Sequence, residues 1–145
     1  MSHVSMPSRR AILQWAGLAV GSTVLRRRAA AASDVLISRK IPSSGEALPT
    51  IGLGSSHTFG VTSAADQAEV NAVMSDFAGL GGRLVDSSPM YGAAESAIGN
   101  AIGQLDLAKR LFLATKVWTK GREAGIEQAK ESMRRMRTRQ FDLDR

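Results

Sequence analysis

Three ionisable side chains, Asp86, Tyr91 and Lys116, fall within one short stretch of the sequence. An ammonium beside a phenol favours the phenolate and draws a tyrosine pKa down from its usual value of about 10. A tyrosine so placed can give its proton to a carbonyl oxygen while hydride arrives at carbon. Taken singly, each residue has a plainer role: a loop tyrosine packs, an aspartate after a strand caps a turn, a lysine at a strand end is solvated. For each alone the plainer role is the better reading, and their placement leaves the chemistry open. Asp86 closes one apolar run, Tyr91 lies in the turn after it, and Lys116 closes the next run. Adjacent parallel strands lie roughly 4.8 Å apart, so an aspartate and a lysine ending neighbouring strands can meet.

The elements around them alternate between strand and helix. Val35 to Ile41 reads as a strand, Pro42-Ser43-Ser44-Gly45 as a turn, and Leu48-Pro49 as the returning arm of a hairpin. The glycine-punctuated run Thr50 to Gly54 comes next. A helix is predicted from about Ser63, where Ser63-x-x-Asp66 resembles a capping box, with Val70, Val73, Met74 and Phe77 on one face. Gly79, Gly81 and Gly82 end it. The strand Arg83-Leu84-Val85 runs into Asp86, and a second helix from about Ala94 presents Ala97, Ile98, Ala101, Ile102 and Leu105. A third strand spans Leu111 to Lys116. The third helix, Glu123 to Met136, carries Ile126, Ala129, Met133 and Met136 on one side, and Phe141-Asp142-Leu143 begins a fourth strand.

Strand starts at Ile51, Arg83, Leu111 and Phe141 are spaced 32, 28 and 30 residues apart. That rhythm indicates βα units on a parallel sheet, which an open doubly wound sheet and an eight-stranded barrel share. A dinucleotide-binding open sheet wants G-x-G-x-x-G at its first turn. Gly52-Leu53-Gly54-Ser55-Ser56-His57 lacks the third glycine, and the helix starts about six residues later. No phosphate-binding G-x-x-x-x-G-K-[ST] occurs either.

Val85-Asp86-Ser87-Ser88-Pro89-Met90-Tyr91-Gly92-x-x-Glu95 resembles the signature of the aldo-keto reductase family. Leu113-Ala114-Thr115-Lys116-Val117-Trp118 is similar to that family's strand ending in a catalytic lysine. The hairpin Arg39 to Pro49, followed by Ile51-Gly52-Leu53-Gly54, resembles its entry into the barrel, and the likeness extends from about Ser38 to Leu143. The resemblance implies an α/β fold, a partial (β/α)8 barrel made of an N-terminal hairpin and about three and a half βα units. It implies NADPH bound across the carboxyl-end face and a small-molecule aldehyde or ketone as substrate. Tyr91 would be the general acid, Lys116 would lower its pKa, and Asp86 would pair with Lys116. Gly54, Ser55 and Ser56, with Asp86, would lie beside the nicotinamide end. Trp118 would line the substrate pocket or sit partly buried in the core. No residue is assigned to a metal, and His3 and His57 have no matching role. Nothing in the sequence fixes an oligomeric state.

The family continues its fourth strand into aspartate-leucine-x-x-x-histidine, whereas Phe141-Asp142-Leu143 is followed by Asp144-Arg145. Residues 33–145 number 113, against about 250 for such a barrel. The chain as given is therefore expected to be incomplete and inactive alone. The alternative is a non-enzymatic remnant or a reductase-like binding subunit.

Residues 1–32 read as a signal peptide of twin-arginine type. Ser8-Arg9-Arg10-x-Ile12-Leu13 precedes a 15-residue apolar body, and Ala30-Ala31-Ala32 precedes Ser33. Roughly 18 apolar residues are needed to span a membrane, so the segment directs export, to the periplasm, rather than anchorage. This leader holds five of the 19 basic residues and none of the 13 acidic ones, so residues 33–145 carry 14 against 13, a net +1. That balance argues against nucleic acid as a partner. The remaining cluster, Arg134, Arg135, Arg137 and Arg139, suits the end of a helix facing solvent. The absence of cysteine excludes disulfide stapling.

Overall fold

A computed structural model of the chain describes residues 36–144. Residues 1–35, on which the expected signal peptide and the start of the expected 33–145 domain fall, and Arg145 lie outside the described residues. Ser38–Lys40 (β1) and Ala47–Pro49 (β2) form the expected hairpin, with Arg39 opposite Leu48. Arg83 ties the hairpin to the start of a sheet strand, donating to the Glu46 carboxylate at 2.5 Å and to the Ala47 carbonyl at 3.2 Å.

The strand Leu53–Gly54 (β3) leads to the first helix. Ser63 is extended, and its hydroxyl accepts from the Asp66 amide at 3.1 Å, which satisfies a donor that a helix start leaves unpaired. Helix α1 runs Ala64–Gly79 and buries Val70, Met74 and Ala78; Val73, expected on the same face, is 45% exposed on its flank. Gly81, at φ +89°, makes the reversal that an L side chain resists. Then come Leu84–Asp86 (β4), Ala94–Leu105 (α2), Phe112–Thr115 (β5), Arg122–Arg135 (α3) and Leu143–Asp144 (β6).

The four strands pair in parallel in the order β3-β4-β5-β6, which is also their order along the chain. A doubly wound sheet reverses its strand order at a switch point; this sheet does not. It is an unclosed arc of a (β/α)8 barrel. On its helix side Val85 and Leu113 pack with Met74, Ile98, Ala101, Ile102 and Met136. On the other side Leu84 and Phe112 face a cavity bordered by the hairpin residues Ile41 and Leu48.

The fourth strand and the third helix also depart from expectation. The fourth strand starts at Leu143, not at Phe141. Asp142 donates its amide to the Leu113 carbonyl at 3.0 Å and accepts the Leu113 amide on its carboxylate at 2.8 Å, so a side chain stands in for the ladder there. Ile126, expected inward, is 44% exposed; Met136, expected inward, is buried at the C-cap of α3, and Ser132 is buried within the helix. Helix α3 is held at its C-terminal end, where Gly99 of α2 admits the backbone of Arg135 and Met136. Its first turn lies against the loop residue Val117, near Gly125.

Candidate active site

Asp86 is the last residue of β4, and Lys116 follows the last residue of β5. The register sets Asp86 opposite Ala114. Because alternate residues of a strand share a face, Ala114 and Lys116 point the same way, and the lysine reaches back to its neighbour. Its Nζ donates to Asp86 Oδ2 at 2.7 Å and to the Ser87 carbonyl at 2.9 Å. The two side chains are 25% and 29% exposed, so the pair is screened less than a surface pair would be.

Tyr91 is placed by the turn between β4 and α2. Its amide donates to the Ser88 carbonyl at 3.0 Å, and its own carbonyl accepts from Ala94 at 3.1 Å. Gly92, at φ +60°, supplies the bend. The half-buried ring lies with its centroid 5.2 Å from Lys116 Nζ, within the range where an ammonium is attracted to an aromatic ring. One cation thus touches a carboxylate, a carbonyl and a phenol ring.

Ser55 is fully buried behind this pair. Its hydroxyl donates to the Asp86 carbonyl at 3.0 Å and stands 2.9 Å from Ser87 Oγ, while its amide donates to the same carbonyl at 3.1 Å. It braces the end of β4. Gly54 pairs with Asp86 and is exposed, and Ser56 is half-buried in the turn beyond it. Trp118, in the loop between β5 and α3, is 64% exposed and takes no place in the core; its amide donates to the Gln128 side chain. His57 is exposed in the loop after β3.

The parts of Ser87 and Thr115 are not marked by any signal of their own in the sequence. Within the signature, Glu95 stands without an assigned role. Glu95 is wholly buried and accepts from the Thr115 hydroxyl at 2.9 Å. The basic cluster at the end of α3 is also more engaged than a solvated face. Arg135 binds Glu131 at 2.8 Å and lies 3.6 Å from Glu95, and Arg137 donates to Asn100 at 2.8 Å. Among the described residues no group of three or more acidic, histidine or cysteine side chains could hold a metal ion, and no helix is long and apolar enough to cross a membrane.

Residues 50–143, well over half of the chain, match the sequence model of the Aldo/keto reductase family. The chain belongs to that family. An aldo/keto reductase from Klebsiella pneumoniae, solved with NADP and acetate, shares 29% identity at a TM-score of 0.60 over 69% of this chain and 35% of its own. A second from the same organism, solved with NADPH, shares 26% at a TM-score of 0.64, covering 75% of this chain and 39% of its own. A reductase from Brucella melitensis, at 24% identity and a TM-score of 0.59, covers 76% and 40% and bears on the fold alone. The chain spans less than half the length of each of these aldo-keto reductases. No curated protein matches it.

Proposed function

We propose that Asp86, Tyr91 and Lys116 form the proton-donating part of a site that reduces aldehyde or ketone carbonyls with NADPH. The observation that carries this is the Lys116 ammonium, held by Asp86 and the Ser87 carbonyl and placed 5.2 Å from the Tyr91 ring centroid. Bound NADPH would supply the hydride. The carbonyl oxygen takes the Tyr91 phenol proton as hydride reaches carbon, and the phenolate then regains a proton from water. Lys116 stabilises the charge that develops on the phenol oxygen, and Asp86 keeps the ammonium in place.

The residues present fit the hydride-transferring end of the nucleotide. Gly54 pairs with Asp86 and Ser56 follows in the turn beyond it, so these residues would flank a nicotinamide brought to Tyr91; the exposed Gly54 has no atom within 4 Å of an added Cβ. Ser55 serves from behind, since its hydroxyl is already bonded to Asp86 and Ser87. Trp118 is available to a substrate from its exposed loop.

Titration of the purified full chain with NADPH, followed by nucleotide fluorescence, is expected to saturate. A folded chain that binds no NADPH would sink the reading for these residues by themselves and favour a reductase-like subunit without catalysis.

Residues 1–32 are proposed as the export signal of the 33–145 domain, on the order of Arg9-Arg10, apolar body and Ala30-Ala31-Ala32. Mass spectrometry of the exported protein should find Ser33 at its N-terminus. Lysine at both Arg9 and Arg10 should keep the chain in the cytoplasm; unchanged export of that variant would remove the twin-arginine assignment.

A further inference from the structure

Glu95, in the first turn of α2, is 0% exposed. Its Oε1 accepts from the Thr115 hydroxyl at 2.9 Å. Its Oε2 is buried with no hydrogen-bond donor among the described residues, and Ser132 Oγ on α3 is in the same condition. The nearest cation, Arg135 Nη1, stands off at 3.6 Å, 36% exposed and also engaged with Glu131. A carboxylate buried on one neutral hydroxyl and one distant cation is a costly choice. An apolar side chain of similar volume generally stabilises such a site as well or better.

What the carboxylate does is join two places that matter. Thr115 is the last residue of β5 and bonds Glu95, while its neighbour Lys116 bonds Asp86. Glu95 lies in the turn of helix that starts where Ala94 donates to the Tyr91 carbonyl. Beside the Ser87 amide's bond to the Ala114 carbonyl at 2.9 Å, the Glu95–Thr115 bond is thus a side-chain tie between the backbone that carries the ammonium and the backbone that carries the phenol.

We propose that Glu95 is a positioning residue which, through Thr115, sets the spacing between Lys116 and Tyr91. The inference rests on the proposed reading of those two residues as the proton-donating pair. A tie of this kind acts on Lys116 alone, whereas a merely structural Glu95 would loosen the whole chain.

The test is the acylation rate of each lysine in the full chain, with acetic anhydride as reagent and mass spectrometry as readout. Lys109 and Lys130 serve as internal references, and circular dichroism reports the fold. Thr115→Val and Glu95→Ala should each raise Lys116 acylation about tenfold, on the scale of one lost hydrogen bond, with both references unchanged. Glu95→Gln keeps an oxygen that accepts from Thr115 and should return Lys116 to the wild-type rate. A folded Thr115→Val chain with unaltered Lys116 acylation overturns the proposal, as does Glu95→Gln behaving like Glu95→Ala. Where Glu95→Ala unfolds and all lysines rise together, Thr115→Val decides, since it removes the hydroxyl at constant volume. Absence of NADPH binding by the wild-type chain would instead tell against the reductase reading, and the lysine rates are measured without nucleotide.

Discussion

In a carbonyl-reducing protein that carries this chain, Tyr91→Phe is expected to lower hydride transfer by roughly 10²–10⁴-fold, the usual contribution of a positioned general acid. The substitution removes one oxygen and leaves the ring, so the half-buried packing of residue 91 and its face toward the Lys116 ammonium are kept. The Lys116–Asp86 pair at 2.7 Å does not involve the phenol oxygen. Folding and NADPH binding should therefore survive while the proton has no source. The check is steady-state oxidation of NADPH with a test aldehyde, beside a nucleotide titration of the same variant. A variant that reduces the aldehyde at the wild-type rate would show that another group donates the proton. One that loses nucleotide binding as well would show that Tyr91 holds the cofactor rather than the reaction.

Gly99→Ala should be the most damaging small substitution in the helical layer. A Cβ at that position would lie 2.0 Å from the Arg135 carbonyl oxygen and 2.9 Å from the Met136 Cα. Both are backbone atoms, so no rotamer change relieves the contact. Helices α2 and α3 must separate, and Met136, now 0% exposed, loses its packing. Overpacking a filled site costs about 1–3 kcal/mol and more where backbone must shift, and this case belongs at the upper end. In a domain of this size each kcal/mol lowers Tm by roughly 4–8 °C. Gly54→Ala is the control, since nothing lies within 4 Å of its Cβ and its φ is ordinary; it should stay within about 0.5 kcal/mol of wild type. Thermal unfolding followed by circular dichroism separates the two. Equal midpoints would mean that the helices give way more readily than close packing allows. The same contact bears on the site, because Arg135 approaches Glu95 at this crossing.

Much of this arrangement is legible along the chain. Ser63 and Asp66 announce the start of α1, and Ala97, Ile98, Ala101 and Ile102 repeat at helical spacing and are all buried. Asp86 and Lys116 sit at the ends of consecutive apolar runs, and their meeting needs only that those runs pair in parallel. These signals are local: a cap acts over three residues, and amphipathic periodicity needs only one element and a core to face. The signals read as an export leader, Arg9-Arg10 and Ala30-Ala31-Ala32, are local in kind too, and they fall outside the described residues.

Other features were decided by which backbones come together. Spacing of about 30 residues fits both an open sheet and a barrel; the unreversed order of the four strands distinguishes them. Ile126 matches the helical period yet is exposed, because α3 is set by its far end against Gly99. Ser55 looks like a loop hydroxyl until the β3–β4 pairing buries it against Asp86 and Ser87. Glu95 is a charged residue on a helix whose burial follows only from its closeness to Thr115 and Arg135. Residue types and spacing thus determined the elements and the three groups that could do chemistry. Tertiary structure decided which helix face turns inward, which hydroxyl is spent on bracing, and which carboxylate is buried, because each depends on contacts between residues about 20 to 40 positions apart.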